Sequence, residues 1–277
     1  MVLSFNGKQL DLSTPRVMGI LNITPDSFFD QGRYASMDDR LRRVEQMLEE
    51  GASVIDIGAV STRPGAQYIQ VDEELKRLVP DLTAIRRRFP DCFLSVDTFH
   101  SQVASEAISL GADMINDIWG ARFGEGMPET IARWNVPCIL MHMKGTPGTM
   151  QLHPDYQDVV TEIAYFFHQQ TNKLRALGAT QLVIDPGFGF GKTTGHNFEI
   201  LDRLREFDSL GYPLAVGLSR KSMIQKTLGI SAREALNGST VLHTIALEKG
   251  ASILRVHDVK EAVEVVKLLQ AVRGEID

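Results

Sequence analysis

The sequence predicts an α/β fold, a closed (β/α)₈ barrel with an N-terminal β-hairpin. Three observations predict it: short apolar runs alternate with amphipathic stretches, the runs number eight, and four helical stretches end in the same Gly-Ala pair. Repeated βα units with short turns imply parallel strands and right-handed crossovers. Eight such units close most naturally into a barrel, and an open doubly wound sheet is the alternative.

The strands are predicted from apolar runs. Residues 3–12 alternate apolar and polar side chains around Asn6-Gly7, and Asn-Gly supplies the two positive-φ positions of a type I′ hairpin turn. The eight later runs cover residues 17–21, 53–57, 93–96, 114–115, 138–141, 182–184, 214–216 and 253–256. Each is short enough for a buried parallel strand.

The helices are predicted between these runs. Apolar residues at positions 37, 41, 44 and 48 indicate the first helix, with Ser36 as its N-cap and Gly51 as its left-handed terminal residue. The second helix contains Pro80, which should kink or split it. Gly-Ala pairs at 51–52, 111–112, 178–179 and 250–251 predict four similar turns from helix to strand.

Composition excludes several classes of protein. The chain has 277 residues, 43% hydrophobic and 23% charged, which suits one barrel domain over residues 1–277. The net charge of −6 argues against a nucleic-acid or membrane partner. No apolar run approaches the ~18 residues of a membrane span. Cys92 and Cys138 lack a Cys-x-x-Cys partner, so we expect buried free thiols and a cytoplasmic location.

Polar residues at the carboxyl ends of the strands are the candidates for chemistry in such a barrel. One carboxylate after a strand often only caps the next helix, but all eight runs end in hydrogen-bonding groups. These residues are Asn22, Asp56, Asp97, Asn116 with Asp117, His142, Asp185, Ser219 with Arg220 and Lys221, and Arg255 with His257.

The first chemical set within this group contains Asp97, Asn116, Asp185 and Lys221. A carboxylate can accept two parallel N–H bonds from an aminopyrimidinone edge, while an amide and an ammonium serve the ring nitrogens and carbonyl. A guanine-like or pterin-like heterocycle fits this set.

The second set is cationic and contains Arg63, Arg255 and His257, with Asn22 as a neutral oxygen ligand. It suits a phosphate or diphosphate together with a hard divalent cation that keeps most of its waters.

Two kinds of motif are rejected. In the glycine-rich run 185–193, Pro186 stands where a Walker loop needs glycine, and Lys192 stands where a dinucleotide fingerprint needs it. The histidines lack metalloprotease spacing. His142 is either a ligand contact or a satisfied rim histidine, and we expect His100 and His243 to be ordinary surface or helix residues.

The motifs together resemble those of the dihydropteroate synthases. The opening MGILNITPDSF at 18–28 is followed in order by motifs at 61–65, 95–98, 116–118, 141–143, 185–192, 219–222 and 255–258. The resemblance implies a homodimeric TIM barrel of folate biosynthesis that is a target of sulfonamides. It implies condensation of (7,8-dihydropterin-6-yl)methyl diphosphate with 4-aminobenzoate, giving 7,8-dihydropteroate and diphosphate with Mg²⁺.

The resemblance also implies roles for the matching residues. The resemblance assigns pterin binding to Asp97, Asn116, Asp185 and Lys221. It places Met141, Phe190 and Gly217 against the faces of the ring. The resemblance assigns the diphosphate to Asn22, Thr62, Arg255 and His257, with Asn22 as the Mg²⁺ ligand. The 4-aminobenzoate is framed by Phe28, Pro64 and Ser222. Catalysis is expected from Lys221, Arg255, His257 and Asp30, with Asp30 supporting a pterin-methylene cation and helping to remove the amine proton.

The chain departs from the usual family pattern at a few positions, namely Phe29, Gln31, Ala59, Val60 and Phe99-His100. We expect these changes to surround the 4-aminobenzoate site and to lie away from the pterin floor, the set formed by Asp97, Asn116, Asp185 and Lys221. The bulk of Phe29 predicts normal pterin affinity with an altered KM for 4-aminobenzoate.

Two other functions are weighed against this one. A methyltetrahydrofolate:corrinoid methyltransferase would share the pterin floor but has no need of a cationic set for diphosphate. A non-catalytic pterin- or phosphate-binding protein would bind without turnover.

Overall fold

A computed structural model describes residues 1–24, 36–60, 69–146, 148–150 and 154–276. The chain opens with an antiparallel hairpin of β1 (Val2–Phe5) and β2 (Lys8–Asp11). Asn6 and Gly7 connect them with φ angles of 49° and 77°. The turn predicted from Asn-Gly is therefore confirmed.

Eight parallel strands form the barrel. They are β3 (Arg16–Asn22), β4 (Val54–Gly58), β5 (Leu94–Asp97), β6 (Met114–Asp117), β7 (Cys138–Met141), β8 (Leu182–Asp185), β9 (Ala215–Val216) and β10 (Ile253–Val256). Their order is β8-β7-β6-β5-β4-β3-β10-β9, and a parallel bridge between Ile184 and Leu214 joins the two ends. The sheet thus closes on itself, which confirms the barrel and excludes the open sheet.

The described helices lie between the strands and bury their apolar faces against the outside of the barrel. They are α1 (Met37–Glu49), α2 (Val71–Arg88), α3 (Ser101–Ser109), α4 (Met127–Trp134), α5 (Val159–Ala176), α6 (Thr194–Asp202), α7 (Ser222–Leu228), α8 (Leu236–Glu248) and α9 (Val259–Val272), with a 3₁₀ helix at Leu204–Leu210. None of these described helices has both the length and the apolar character needed to cross a bilayer.

Four of the turns from helix to strand share one geometry. Gly51, Gly111, Gly178 and Gly250 have φ angles of 101°, 97°, 103° and 98°. In each case the N–H of the following alanine donates to the carbonyl five residues earlier, at 2.9–3.0 Å. This is a Schellman ending, which the left-handed glycine makes possible. The repeat seen in the sequence is therefore a repeated structural device.

Pro80 does not divide the second helix, so the expectation of a split is wrong. Helix α2 runs unbroken for 18 residues with Pro80 inside it. Its buried face includes Leu78, Leu82 and Ile85. Each buried side chain contributes about 1.5–3 kcal/mol, which together exceed the ~3 kcal/mol cost of an internal proline.

The hairpin closes the amino end of the barrel. Leu3, Leu10 and Leu12 pack against buried residues that lie in the barrel strands or, for Phe93, directly before one. These residues are Met18, Val54, Phe93, Met114, Ile139, Val183, Ala215 and Ile253. Gln181 holds the hairpin in place by accepting from Ser4 N–H at 2.7 Å and donating to Ser4 O at 3.0 Å. Apolar side chains therefore fill this end of the barrel.

Candidate active site

Strand register brings three of the predicted residues to one level at the carboxyl end of the barrel. Asn22 pairs with Gly58, Gly58 with Asp97, and Asp97 with Asn116. A Cβ at Gly58 would lie 3.5 Å from Asn22 Oδ1 and 3.7 Å from Asp97 Cβ. The absence of a side chain at Gly58 therefore leaves open the space between Asn22 and Asp97. On the next pair of strands Met141 stands beside Asp185.

Arg255 pairs with two carboxylates at the base of this site, Asp56 and Asp97. Its Nε atom lies 2.6 Å from Asp56 Oδ2, and its Nη2 atom lies 2.7 Å from Asp97 Oδ2. Asn116 Nδ2 donates to the same Asp56 oxygen at 3.0 Å. The other carboxylate oxygen of Asp56 is buried without a hydrogen-bond partner among the described residues. One buried carboxylate thus orients both the guanidinium and the amide.

Burial moves the pKa values of two groups in this site, Asp97 and Lys221, towards neutrality. It raises the pKa of Asp97 to about 7, against the opposing charge of Arg255. Burial also raises the pKa of Asp185, although the Gly187 N–H works against this shift. The pKa of Lys221 is lowered to about 8 by burial, with Asp185 opposing the shift and Arg255 adding to it. Burial alone would lower the pKa of Arg255, but the negative charges of Asp56 and Asp97 more than offset this effect. The net pKa is raised, so the guanidinium stays charged.

The glycine-rich loop after β8 is shaped by close packing. Gly187, Gly189 and Gly191 have φ angles of 71°, 84° and 64°. Any Cβ at Gly187 would overlap the carbonyl oxygen of His142, and one at Gly191 would overlap that of Lys144. The glycines therefore let this loop cross directly over the loop after β7. They bring the Phe190 ring to 4.3 Å from Lys221 Nζ.

His142 lies where the loop after β8 crosses the loop after β7. It is 6% exposed, and its Nδ1 atom is 3.0 Å from Lys192 Nζ. Burial and the neighbouring cations hold its pKa well below the usual range, so the imidazole is neutral. Of the two sequence-based alternatives, the satisfied rim histidine fits this geometry.

The remaining predicted residues occupy separate parts of the rim. Met141 is buried in an apolar rim cluster that also contains Val60, Phe99, Ile118, Met143 and Met150. Gly217 directly follows β9, exposed Ser222 begins α7, and the His257 N–H donates to Ser219 Oγ at 3.3 Å. Five predicted residues lie outside the described ranges: Phe28, Asp30, Thr62, Arg63 and Pro64, as do the departures at Phe29 and Gln31.

The structure places two of the departures from the family pattern, Val60 and Phe99, in the apolar rim cluster with Met141. That the departures surround the 4-aminobenzoate site stays a prediction.

One expectation about the histidines needs correction. His100 is not a surface residue: it is 5% exposed, and its Nδ1 atom lies 2.6 Å from Glu74 Oε2. His243 lies in a helix, α8, as expected, and burial lowers its pKa to about 4. The period of the apolar pattern could not reveal the partner of His100, because Glu74 belongs to another helix, α2.

The contacts of Asp56 with Arg255 and Asn116 could not be predicted from the sequence. Asp56 is one of the polar strand-end residues, but it belongs to neither of the two chemical sets. Its position inside an apolar run was the available signal, because a carboxylate in such a run requires a buried partner. The structure also joins the two chemical sets, since Arg255 of the cationic set is paired with carboxylates of the heterocycle floor.

Comparison with known proteins agrees with this geometry. The family described as pterin binding enzyme matches residues 18–257. A dihydropteroate synthase from Haemophilus influenzae is 46% identical over 273 residues, covering 98% of each chain. A crystal structure of the Yersinia pestis dihydropteroate synthase with a sulfonamide drug has a TM-score of 0.94 at 44% identity, covering 100% of both chains. The Xanthomonas albilineans dihydropteroate synthase, solved with 4-aminobenzoic acid, has a TM-score of 0.90 at 40% identity and 98% coverage of both. The chain therefore belongs to the pterin-binding enzyme family and, within it, to the dihydropteroate synthases, which are transferases.

Proposed function

We propose that this chain condenses (7,8-dihydropterin-6-yl)methyl diphosphate with 4-aminobenzoate through the residues at the carboxyl end of its barrel. The products are 7,8-dihydropteroate and diphosphate. The observation that carries the proposal is the pairing of Arg255 with both Asp56 and Asp97 beside Asn116. This pairing puts carboxylates, an amide and a permanent cation on one buried surface.

Pterin recognition follows from the hydrogen-bonding groups left available. One oxygen of Asp185 accepts from Gly187 N–H at 2.7 Å, and its other lone pairs can accept from the aminopyrimidinone edge. Asn116 uses its Nδ2 atom on Asp56, which leaves its carbonyl oxygen as an acceptor. Lys221 supplies donors, and Met141, Phe190 and Gly217 are proposed to contact the ring faces.

The oxygen ligands available in the site can be compared with those that Mg²⁺ prefers. Asn22 is half-buried, with its Oδ1 atom facing the space above Gly58. Within the described ranges, no three His, Cys, Asp or Glu side chains are grouped to hold a metal ion. One amide oxygen fits an ion that keeps most of its waters and is shared with substrate phosphates. Bound there, Mg²⁺ would neutralise charge on the diphosphate.

The reaction breaks one bond and forms another at the pterin methylene. The C–O bond to diphosphate breaks with its electron pair going to the leaving oxygen, the amine nitrogen of 4-aminobenzoate forms the new C–N bond, and the amine loses a proton. Arg255 and His257, at the end of β10, are proposed to stabilise the departing negative charge. Thr62, Arg63 and Asp30 complete the proposed set from outside the described ranges.

A second copy of the chain is the proposed protein partner. Val241 of α8 and Leu268 and Val272 of α9 are 49%, 68% and 83% exposed, and the two helices pack against each other. Exposed large apolar side chains on neighbouring helices make this face the candidate interface. We place the resulting homodimer in the cytoplasm.

Product analysis tests the proposed function. The purified protein is incubated with the pterin diphosphate, 4-aminobenzoate and Mg²⁺, and diphosphate and dihydropteroate are measured together. Equal amounts of both products are expected, with competition by a sulfonamide, and omission of 4-aminobenzoate is the control. Methyl transfer from methyltetrahydrofolate to a corrinoid would favour the methyltransferase, and pterin binding without diphosphate release would favour a non-catalytic protein.

A further inference from the structure

Lys192 is a buried lysine with no assigned part in the proposed reaction. It is 2% exposed. Its Nζ atom lies 2.9 Å from Phe190 O, 3.0 Å from Gly187 O and 3.2 Å from His142 O. Nδ1 of His142 lies 3.0 Å from the same nitrogen. This nitrogen is therefore surrounded by carbonyl oxygens and an imidazole.

These acceptors belong to two different loops. His142 follows β7, whereas Gly187 and Phe190 follow β8. The loops cross so closely that their carbonyl groups are removed from water, and buried carbonyls need a donor. A protonated lysine has three N–H donors at one point, and Nζ of Lys192 shares them among the three carbonyl oxygens and Nδ1 of His142. Lys192 therefore joins the two loops.

The segment that Lys192 holds carries parts of the proposed pterin site at both ends. Asp185 lies just before it and accepts from Gly187 N–H at 2.7 Å. Phe190 lies near its other end, with its ring 4.3 Å from Lys221 Nζ. Two further bonds, from Tyr156 Oη to Gly191 O at 2.8 Å and from Gly189 N to Asn197 Oδ1 at 2.7 Å, hold the outer part of the segment. Two bonds act on Phe190 itself: its N–H donates to Gly187 O at 3.1 Å, and its carbonyl oxygen accepts from Lys192 Nζ at 2.9 Å.

We propose that Lys192 is a positioning residue for the pterin site, which fixes the Gly187 and Phe190 carbonyls and thereby places the Phe190 ring beside Lys221. This inference rests on the proposed pterin-binding role of that ring. Lys192 acts only through the loop, and it touches no reacting atom. Its removal should weaken binding of the pterin substrate more than it slows the chemical step.

A double-mutant cycle tests this role. Lys192→Met keeps the length of the side chain but removes its donors, and Phe190→Ala removes the ring. We expect either change to raise the KM for the pterin diphosphate about 10-fold or more, with a smaller effect on kcat. Because Lys192 acts through Phe190, the double variant should be no worse than the more impaired single variant. Lys226→Met, at an exposed position of α7, is the matched control.

The outcomes separate this role from a purely structural one. Additive effects of the two changes, or an unchanged KM in a folded Lys192→Met protein, would overturn the proposal. If the methionine variant does not fold, Lys192→Gln, which removes the charge and shortens the reach of the donors, replaces it in the same cycle. If neither folds, Lys192 serves stability alone and the proposal is wrong. Turnover by the unmodified protein tests the proposed function, whereas the ratios of KM between the variants test the role of Lys192. The two proposals can therefore fail independently.

Discussion

Nε of Arg255 lies 2.6 Å from Oδ2 of Asp56, a carboxylate with no solvent exposure. The two residues are 199 positions apart in the chain, and the barrel brings them together across its interior. The same Asp56 oxygen accepts from Asn116 at 3.0 Å. Asp56 therefore sets the direction of two groups to which substrate contacts are assigned.

Replacing Asp56 by asparagine should impair catalysis without a direct loss of substrate contact. The amide of the Asp56→Asn variant would offer Arg255 a neutral oxygen, and one charge-assisted hydrogen bond would be weakened by about 1.5–3 kcal/mol. We expect kcat/KM for the pterin diphosphate to fall about 10- to 100-fold, as measured by initial rates of diphosphate release. Asp91→Asn, at an exposed position at the amino end of the barrel, is the control. Equal rates in both variants would remove Asp56 from the site.

Asp185→Asn should weaken pterin binding directly. The carboxylate accepts N–H bonds from Gly187 and, in our proposal, from the heterocycle, whereas an amide presents a donor to one of them. The expected loss is about 1.5–3 kcal/mol of binding free energy. Calorimetric titration with a pterin measures it, again beside Asp91→Asn. An unchanged affinity would show that Asp185 is not part of the pterin floor.

The pH dependence of kcat/KM should be a narrow bell. Asp97, whose pKa is raised to about 7, accepts hydrogen bonds at both oxygens only when it is ionised, because protonation turns one oxygen into a donor, so activity should fall as the pH drops below that value. Lys221, whose pKa is lowered to about 8, carries its charge only below that value, so activity should fall as the pH rises above it. Initial rates across the range locate both limbs, which report apparent values for the free enzyme. In Asp97→Asn the acidic limb should disappear from the residual activity, and a flat profile in the unmodified protein would contradict both assignments.

Leu3→Ala should separate stability from activity. Leu3 is fully buried where the hairpin closes the amino end of the barrel, opposite the site. The cavity left by this change should lower the free energy of unfolding by about 2–5 kcal/mol, as measured by urea denaturation. The kinetic constants of the folded variant should not change. Leu228→Ala, at a position 56% exposed, should cost less than about 0.5 kcal/mol, and an equal cost at both positions would contradict the packing argument.

Leu268→Glu should convert the proposed dimer into a monomer. The leucine is 68% exposed on α9, and a buried carboxylate without a partner strongly opposes association. Light scattering after size-exclusion chromatography gives the mass of each species. Leu177→Glu, 45% exposed at the end of α5, is the control and should leave the mass unchanged. A monomeric unmodified protein would rule out this interface.

Local pattern was sufficient to predict the hairpin, the eight strands and the four Gly-Ala turns. These features depend on residues close together in the chain: Asn6-Gly7 defines its own turn, and Gly51 ends the helix directly before it. The polar strand ends were also readable, because the carboxyl ends of parallel strands meet at one face. The motif order led to the family by itself.

Tertiary structure decided which of these residues hold one another. The pairing of Arg255 with Asp56, the neutral state of His142 and the burial of His100 against Glu74 all require partners from distant elements. A sequence specifies the residue types at each strand end, but register and barrel closure determine which side chains come within hydrogen-bond distance of one another. Burial follows from the same closure, and it is burial that moves the pKa values of Asp97 and Lys221 towards neutrality.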